Sequence, residues 1–354
     1  MPFRKTPLAS VGGLVRIVFS LAALALGGLV VSTLSADSLA PIVLERHHTD
    51  QGESIALSDK HICTASKQRG DRVTLRCISR ENYELLWEAK AHVWWFRTYL
   101  PFFTDGFTRD LHIHNGYLAS AGTDGRVVLY EVDSGRVIWR HTLHDDAVWK
   151  VQVADGLVVS SGRDGRVIAA ALDTGALVWE HRYHQTGQPR TQMVRSVTVS
   201  GDYVISTGFD RSIVIASLLD GALIEQIEFE HSIKSALLSE GFLIYGPWGA
   251  RSEGDVVALT FPGLEFAWRH SLHHANEGYR GSHLGAEEIT IGSGMVFSAG
   301  DDGRVVAVNL IDGHYIFHHD LHTGSVRSVS ANDGLLGSID RDGTVVLYDF
   351  SVYR

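Results

Sequence analysis

A phrase repeats along this chain with small changes: Ser-x-Gly-x-Asp-Gly-Arg-Val, then an Asp-Ser/Thr-Gly turn, then Trp-x-His-x-x-His. It is clearest from Ser120 to His144 and from Ser160 to His184, and its turn glycines Gly125 and Gly165 stand 40 residues apart. Short β-branched runs between Asp-Gly turns are strand signals. A period of this size builds one four-stranded unit per repeat, each burying its faces against its neighbours. The repeat therefore predicts an all-β ring, and it assigns most of its own polar residues to structure.

Seven places read as the turn between second and third strands: Gly70-Asp71, Asp124-Gly125, Asp164-Gly165, Asp210-Arg211, Gly254-Asp255, Asp302-Gly303 and Asp342-Gly343. Each is followed by a β-branched run such as Val127-Val128-Leu129-Tyr130, which suits a strand covered on both faces. The predicted fold is a seven-bladed β-propeller over residues 41–354. The last run reaches Arg354 with no outer strand after it, so the segment Pro41 to His48 is predicted to supply that strand and close the ring.

The N-terminus differs in kind. Arg4, Lys5 and Arg16 precede an apolar run from Ile17 to Val31, which predicts one hydrophobic helix. Residues 1–16 read as a short basic cytoplasmic segment, 17–35 as a transmembrane signal anchor and 36–40 as a linker. A cleaved signal peptide is the alternative, although Leu34 two positions before Ala36 makes a poor cleavage site. The basic flank places the propeller on the periplasmic side of the inner membrane, or soluble in the periplasm if the segment is cleaved. Cys63 and Cys77 are equidistant from Gly70 and would face each other across a hairpin, which suits a disulfide in an oxidising space, with two buried thiols as the alternative. A net charge of −10 with singly scattered basic residues excludes nucleic acid as a partner.

These residues resemble two related families. The order His144, Val148, Val151, Ser160, Asp164, Gly165, Val167 is similar to the WD40 repeat, as is His322, Val326, Val329, Ser338, Asp342, Val345. The segments Asp173-Thr174-Gly175 to Trp179, Asp133 to Trp139 and Asp312 to Phe317 look like the PQQ-like, quinoprotein-type repeat. The WD40 resemblance implies that a His hydrogen-bonds a Ser and an Asp: His144 with Ser160 and Asp164, His184 with Ser206 and Asp210, His273 with Ser298 and Asp302, and His322 with Ser338 and Asp342. The WD40 tryptophan is absent from the third strand, where Tyr130, Ala170, Ala216, Val308 and Tyr348 stand. A third resemblance, to the propeller subunit of outer-membrane protein assembly, implies lipid anchoring through a Cys that this chain lacks after its apolar run. The quinoprotein dehydrogenases imply a bound PQQ, an adjacent cysteine pair and a calcium site. Cys63 and Cys77 are not adjacent, and the sequence predicts no cofactor.

Recurrence of Ser, His and Asp in several blades is what a scaffold element gives, and no catalytic residue is assigned. The earlier His of each pair, His141, His181, His270 and His319, reads as outer-strand packing. His273, His274, His283, Glu287 and Glu288 are metal-compatible but fit no compact motif, and no metal site is assigned. Partner contacts are expected from departures from the pattern. One is the aromatic insertion Val93 to Phe107, with Trp94, Trp95, Phe96, Tyr99, Phe102 and Phe103. Pro247-Trp248-Gly249 and Gln185 to Gln192 would add to the same face. The other is the start of each innermost strand, where alignment places Glu53, Arg109, Trp149, Arg195, Lys234, Glu287 and Arg327. The sequence thus predicts a membrane-anchored propeller that binds a protein partner in or near the membrane as scaffold, assembly or accessory subunit. The second reading is a periplasmic redox or metal-dependent enzyme subunit using the channel or the His273–Glu288 loop.

Overall fold

The computed structural model describes residues 15–17, 41–44, 51–67, 74–92, 106–185, 192–248, 254–274 and 285–353. They form seven sheets around a central axis. The innermost strands are Gln51–Leu57, Thr108–His114, Val148–Ala154, Val194–Ser200, Ser232–Ser239, Ala286–Gly292 and Val326–Asn332. Six blades are four antiparallel strands in chain order. In the seventh, Ile42–Leu44 lies antiparallel to Val345–Asp349, with Ile42 opposite Leu347 and Leu44 opposite Val345. Val15–Ile17 runs parallel to Ile42–Leu44.

Residues 18–40, which hold nearly all of the predicted hydrophobic helix, lie outside the described residues, and so do 45–48. Ile17, the first residue of that predicted helix, instead ends a short strand. Among the described residues, no helix is long and apolar enough to cross a membrane. The helical element there is the 3-10 turn Ser351–Tyr353.

The strands follow the sequence pattern for a physical reason. Middle strands such as Leu157–Gly162 and Val167–Ala171 are covered on both faces by the neighbouring blades, so they read as nearly unbroken apolar runs. The outer strand Val137–Thr142 buries chiefly Trp139 and leaves its neighbours wet. The core lies between blades, in clusters such as Val127, Leu129 and Trp139 with Val148, Val151 and Val158 of the next blade. Each fully buried Val, Leu or Ile there contributes about 1.5–3 kcal/mol.

Tryptophans latch one blade to the next. The indole N–H of Trp139 donates to the Leu172 carbonyl at 2.8 Å, Trp87 to Val132 at 2.7 Å, Trp179 to Leu218 at 3.0 Å and Trp268 to Leu310 at 3.0 Å. Each ring lies on the glycine of the turn between the next blade's third and fourth strands: Trp87 on Gly135, Trp139 on Gly175, Trp179 on Gly221 and Trp268 on Gly313. At Gly175, φ is +68°, and a Cβ would come within 2.8 Å of the Trp139 ring and 2.3 Å of His141. Only glycine meets both demands. Two of the histidines predicted as outer-strand packing add to the latch: His141 stacks on Trp139 and donates to the Thr174 carbonyl at 3.0 Å, and His181 lies tilted against Trp179 and donates to the Asp220 carbonyl at 3.2 Å, whereas His319 stacks on Tyr348.

Cys63 and Cys77 sit directly opposite in the second and third strands of the first blade and form a disulfide. Gly70, about which they are symmetric in sequence, lies outside the described residues.

Candidate functional site

Every innermost strand carries a β-bulge at the same place. Thr108 pairs with Gly122 and Asp110 with Ala121, so Arg109 has no residue opposite. The same skip leaves Glu53, Trp149, Arg195, Lys234, Glu287 and Arg327 unpaired in their strands. A bulge re-aims side chains that would otherwise alternate between faces. Here it turns consecutive residues to the channel in pairs: Arg109 with Asp110, Trp149 with Lys150, Arg195 with Ser196, Lys234 with Ser235 and Glu287 with Glu288. The seven extra residues surround a small cavity of about 50 Å³ at the channel mouth. These are the positions that alignment of the repeats places at the start of the innermost strands.

The second residue of each pair serves a different purpose. An innermost strand has no ladder partner on its axial edge, so its N–H groups need acceptors. The neighbouring blade supplies them. Leu111 N–H donates to Ser54 Oγ at 3.1 Å, Val151 N–H to Asp110 at 3.0 Å, Val329 N–H to Glu288 at 3.1 Å and Ile55 N–H to Ser328 Oγ at 3.2 Å. Lys150 donates to Asp110 at 2.9 Å and also to Glu288 of the sixth blade, on the far side of the channel. Burial would push the Lys150 ammonium down, but Asp110 and Glu288 hold it above the ordinary lysine value. This bridge divides the mouth from a deeper cavity of about 420 Å³ lined in part by His112, Gln152, Thr198 and Ser330. Burial, with His114 and Lys150 nearby, pushes His112 down to about 4, and its Nδ1 accepts from Val153 N–H at 3.0 Å.

The mouth is a cationic patch on an acidic protein. Glu287 is gripped by Lys234 and lies 3.4 Å from Arg327 and 3.7 Å from Arg195. Arg109 donates to Glu53 at 3.2 Å. Arg195 lies over the Trp149 ring at 4.7 Å and Lys234 over Trp248 at 5.6 Å. Trp149, Phe209 and Trp248 make successive edge contacts, forming an aromatic arc beside the mouth. Burial, then the charges of Arg109 and Arg327, pushes Arg195 down to about 9. Burial and Arg195 push Lys234 down to about 7, opposed by Asp301.

The repeated His, Ser and Asp groups are elsewhere, each within its own sector, and among the described residues they occur in five of the seven blades. His144 bonds Asp164 through Nδ1 and Ser160 through Nε2, both at 2.9 Å. His184 does so with Asp210 at 2.9 Å and Ser206 at 3.0 Å, and His273 with Asp302 at 2.9 Å and Ser298 at 2.8 Å. The carboxylate can only accept, so Nδ1 carries the proton and Nε2 accepts the serine hydroxyl in the neutral ring. Each His lies in the link entering a blade, and the group ties that link to the second strand and the turn after it. In that strand Gly162 is obligatory, because a Cβ would stand 2.4 Å from His144 Nδ1.

One set differs from expectation, and another was missed. His322 bonds Ser338 at 2.7 Å, but the carboxylate beside its Nδ1 is Asp340 at 3.2 Å, not Asp342. Asp340 stands where four of the other repeats have glycine, so its side chain occupies the space next to the ring. Asp342 accepts from Thr323 at 3.3 Å instead. The missed set is His92 with Asp124 and Ser120, both at 2.9 Å. Its signal was present: His92 follows Trp87 by the same five residues that separate Trp139 from His144.

Burial would raise the carboxylates of Asp124, Asp164, Asp210 and Asp302, but the imidazole hydrogen bonds and nearby backbone N–H donors hold all four below the ordinary value of 3.8. Groups lowered by folding stabilise fully above that value and lose their contribution as pH falls toward their folded values. Buried His112 and His319, both held below the ordinary value of 6.5, add a loss that starts higher, because the unfolded chain takes up those protons first. Melting temperature followed by circular dichroism should therefore begin to fall below about pH 6.5 and fall more steeply below about pH 4, where the carboxylates also lose their contribution.

Trp94, Trp95, Phe96, Tyr99, Phe102 and Phe103 lie outside the described residues, as does His283. His273 is committed to its network, while Glu287 and Glu288 belong to an innermost strand and face the channel. Among the described residues, no group of three or more His, Cys, Asp or Glu is placed to hold a metal ion.

Fold and site together define a seven-bladed propeller whose channel mouth is built from one bulged side chain per blade. Residues 51–239 match the family model PQQ_2, described as outer membrane protein assembly factor BamB, and the chain belongs to that family of PQQ-like propeller repeats. No curated protein matches the chain. The crystal structure of the computationally designed Ika8 protein matches with a TM-score of 0.59 at 18% identity, over 86% of this chain and 98% of that one, a likeness of fold alone.

Proposed function

We propose that this protein is a membrane-anchored, extracytoplasmic scaffold, acting by binding a protein partner as an assembly or accessory subunit of an envelope complex. The observation that carries this reading is the channel mouth. Seven bulges place seven side chains of mixed chemistry at one face, and none of the seven belongs to the His–Ser–Asp networks. Membership of a family described as an assembly factor supports the same role. The apolar N-terminal run supports anchoring in the inner membrane with the propeller on the periplasmic side, and the pairing of Ile42–Leu44 with Val345–Asp349 supports closure of the ring by an N-terminal strand.

The test is photo-cross-linking in native membranes followed by mass spectrometry. A photoreactive residue replacing Trp149 or Arg327 should capture one dominant protein, and one at Leu177 on the outer rim should not. Equal capture from rim and mouth would overturn the reading. Replacing Trp149, Arg195 and Arg327 together by Ala should remove the captured protein from purified material.

A further inference from the structure

We propose that the channel mouth is a carboxylate-binding site that receives an acidic side chain from a loop of the docking partner, an assignment that rests on the scaffold reading. The charge balance points this way. The chain carries a net charge of −10, yet five cations and two carboxylates line the mouth cavity. Lys150 is already held by Asp110 and Glu288, which leaves Arg109, Arg195, Lys234 and Arg327 against Glu53 and Glu287. Asp301, 3.8 Å from Lys234, answers part of that lysine's charge, so the surplus rests on the arginines.

Arg195 is the group left wanting. Arg109 has Glu53 at 3.2 Å, and Glu287 is shared between Lys234 and Arg327. Arg195 reaches Glu287 only at 3.7 Å, with its guanidinium spread over the Trp149 face at 4.7 Å. Arg109 lies over the same ring at 5.8 Å. Each of the two guanidinium groups carries a planar fork of N–H donors that matches the two oxygens of a carboxylate, and both lie over one indole. Burial, and after it the charges of Arg109 and Arg327, push Arg195 down to about 9, and a bound anion would offset those charges.

Size and surroundings narrow the occupant. A cavity of about 50 Å³ at the open mouth has room for a carboxylate group. The aromatic arc of Trp149, Phe209 and Trp248 beside the mouth offers apolar contact to whatever carries that group. A side chain on a loop uses both features, whereas a free carboxylate uses only the first.

The experiment is calorimetric titration of the full chain in low-salt buffer with four probes: acetate, inorganic phosphate, the capped peptide Gly-Leu-Asp-Leu-Gly and its Asn counterpart. The Asp peptide should bind at least about tenfold more tightly than the Asn peptide, a difference of about 1.4 kcal/mol. Acetate should compete with it and phosphate should not outbind acetate. Arg195→Gln and, separately, Arg109→Gln should erase the Asp/Asn difference with unchanged melting curves. Glu287→Gln, which removes the internal competitor, should tighten the Asp peptide several-fold. Equal affinity for both peptides, no binding of either, tighter binding of phosphate, or an undiminished difference in both arginine variants would overturn the assignment. If the cross-linked partner of the wild-type mouth is still captured in those cases, the scaffold reading stands and only the carboxylate assignment falls.

Discussion

Asp302→Ala should destabilise the protein by about 3–5 kcal/mol in urea unfolding, because it breaks a buried charged hydrogen-bond set and leaves one partner behind. Asp302 accepts from His273 Nδ1 at 2.9 Å, from His274 N–H at 3.0 Å and from Arg304 N–H at 3.1 Å. The fully buried imidazole would lose its acceptor with no water to replace it. The repeat pattern gives Asp342 the same place in the seventh blade, but the structure gives that place to Asp340. Asp340→Ala should therefore cost about 1–3 kcal/mol, the range for a buried group losing its partner. Asp342→Ala, which removes an exposed contact with Thr323, should cost under about 1 kcal/mol. Equal losses for Asp340 and Asp342 would show that the seventh-blade set is wired as its sequence suggests.

Lys150→Met should also cost about 3–5 kcal/mol, for a reason that involves three blades at once. The lysine joins Asp110 of the second blade to Glu288 of the sixth across the axis, and those carboxylates also accept Val151 and Val329 N–H groups. Without the ammonium, two negative groups are left in the channel. Protonating either one removes the repulsion, so the loss should be smaller near pH 5 than near pH 8, opposite in sign to the acid sensitivity expected of the wild type. Urea denaturation at the two pH values measures both effects. A loss independent of pH would mean that Lys150 contributes packing and little charge balance.

Much of the architecture was legible because its signals are local. Asp-Gly turns, β-branched runs and the five-residue step from Trp139 to His144 recur within one repeat, and each reports a contact made nearby or in the adjoining blade. The departures have equally specific causes. His92 was missed because the insertion after it separates it from Ser120 by 28 residues, against 16 between His144 and Ser160. The repeat pattern gives Asp342 to His322, and nothing in that pattern marks Asp340, in the glycine position, as a partner. The Lys150–Glu288 bridge had no signal at all: the residues lie 138 apart and meet only because the third and sixth blades face each other across the axis.

The mouth shows a further distinction. Its seven positions were found by aligning repeats, yet the bulge that creates them is invisible in sequence, since Glu, Arg, Trp and Lys share no backbone preference that would mark one.

That same indifference has a consequence for how such a chain can change over time. A residue with nothing across from it in the neighbouring strand can be exchanged without disturbing register, ring closure or the hydrogen-bonded ladder. Seven interchangeable positions on a fixed frame make a recognition code that selection, or a combinatorial library, can rewrite one letter at a time while the body of the protein stays as it is.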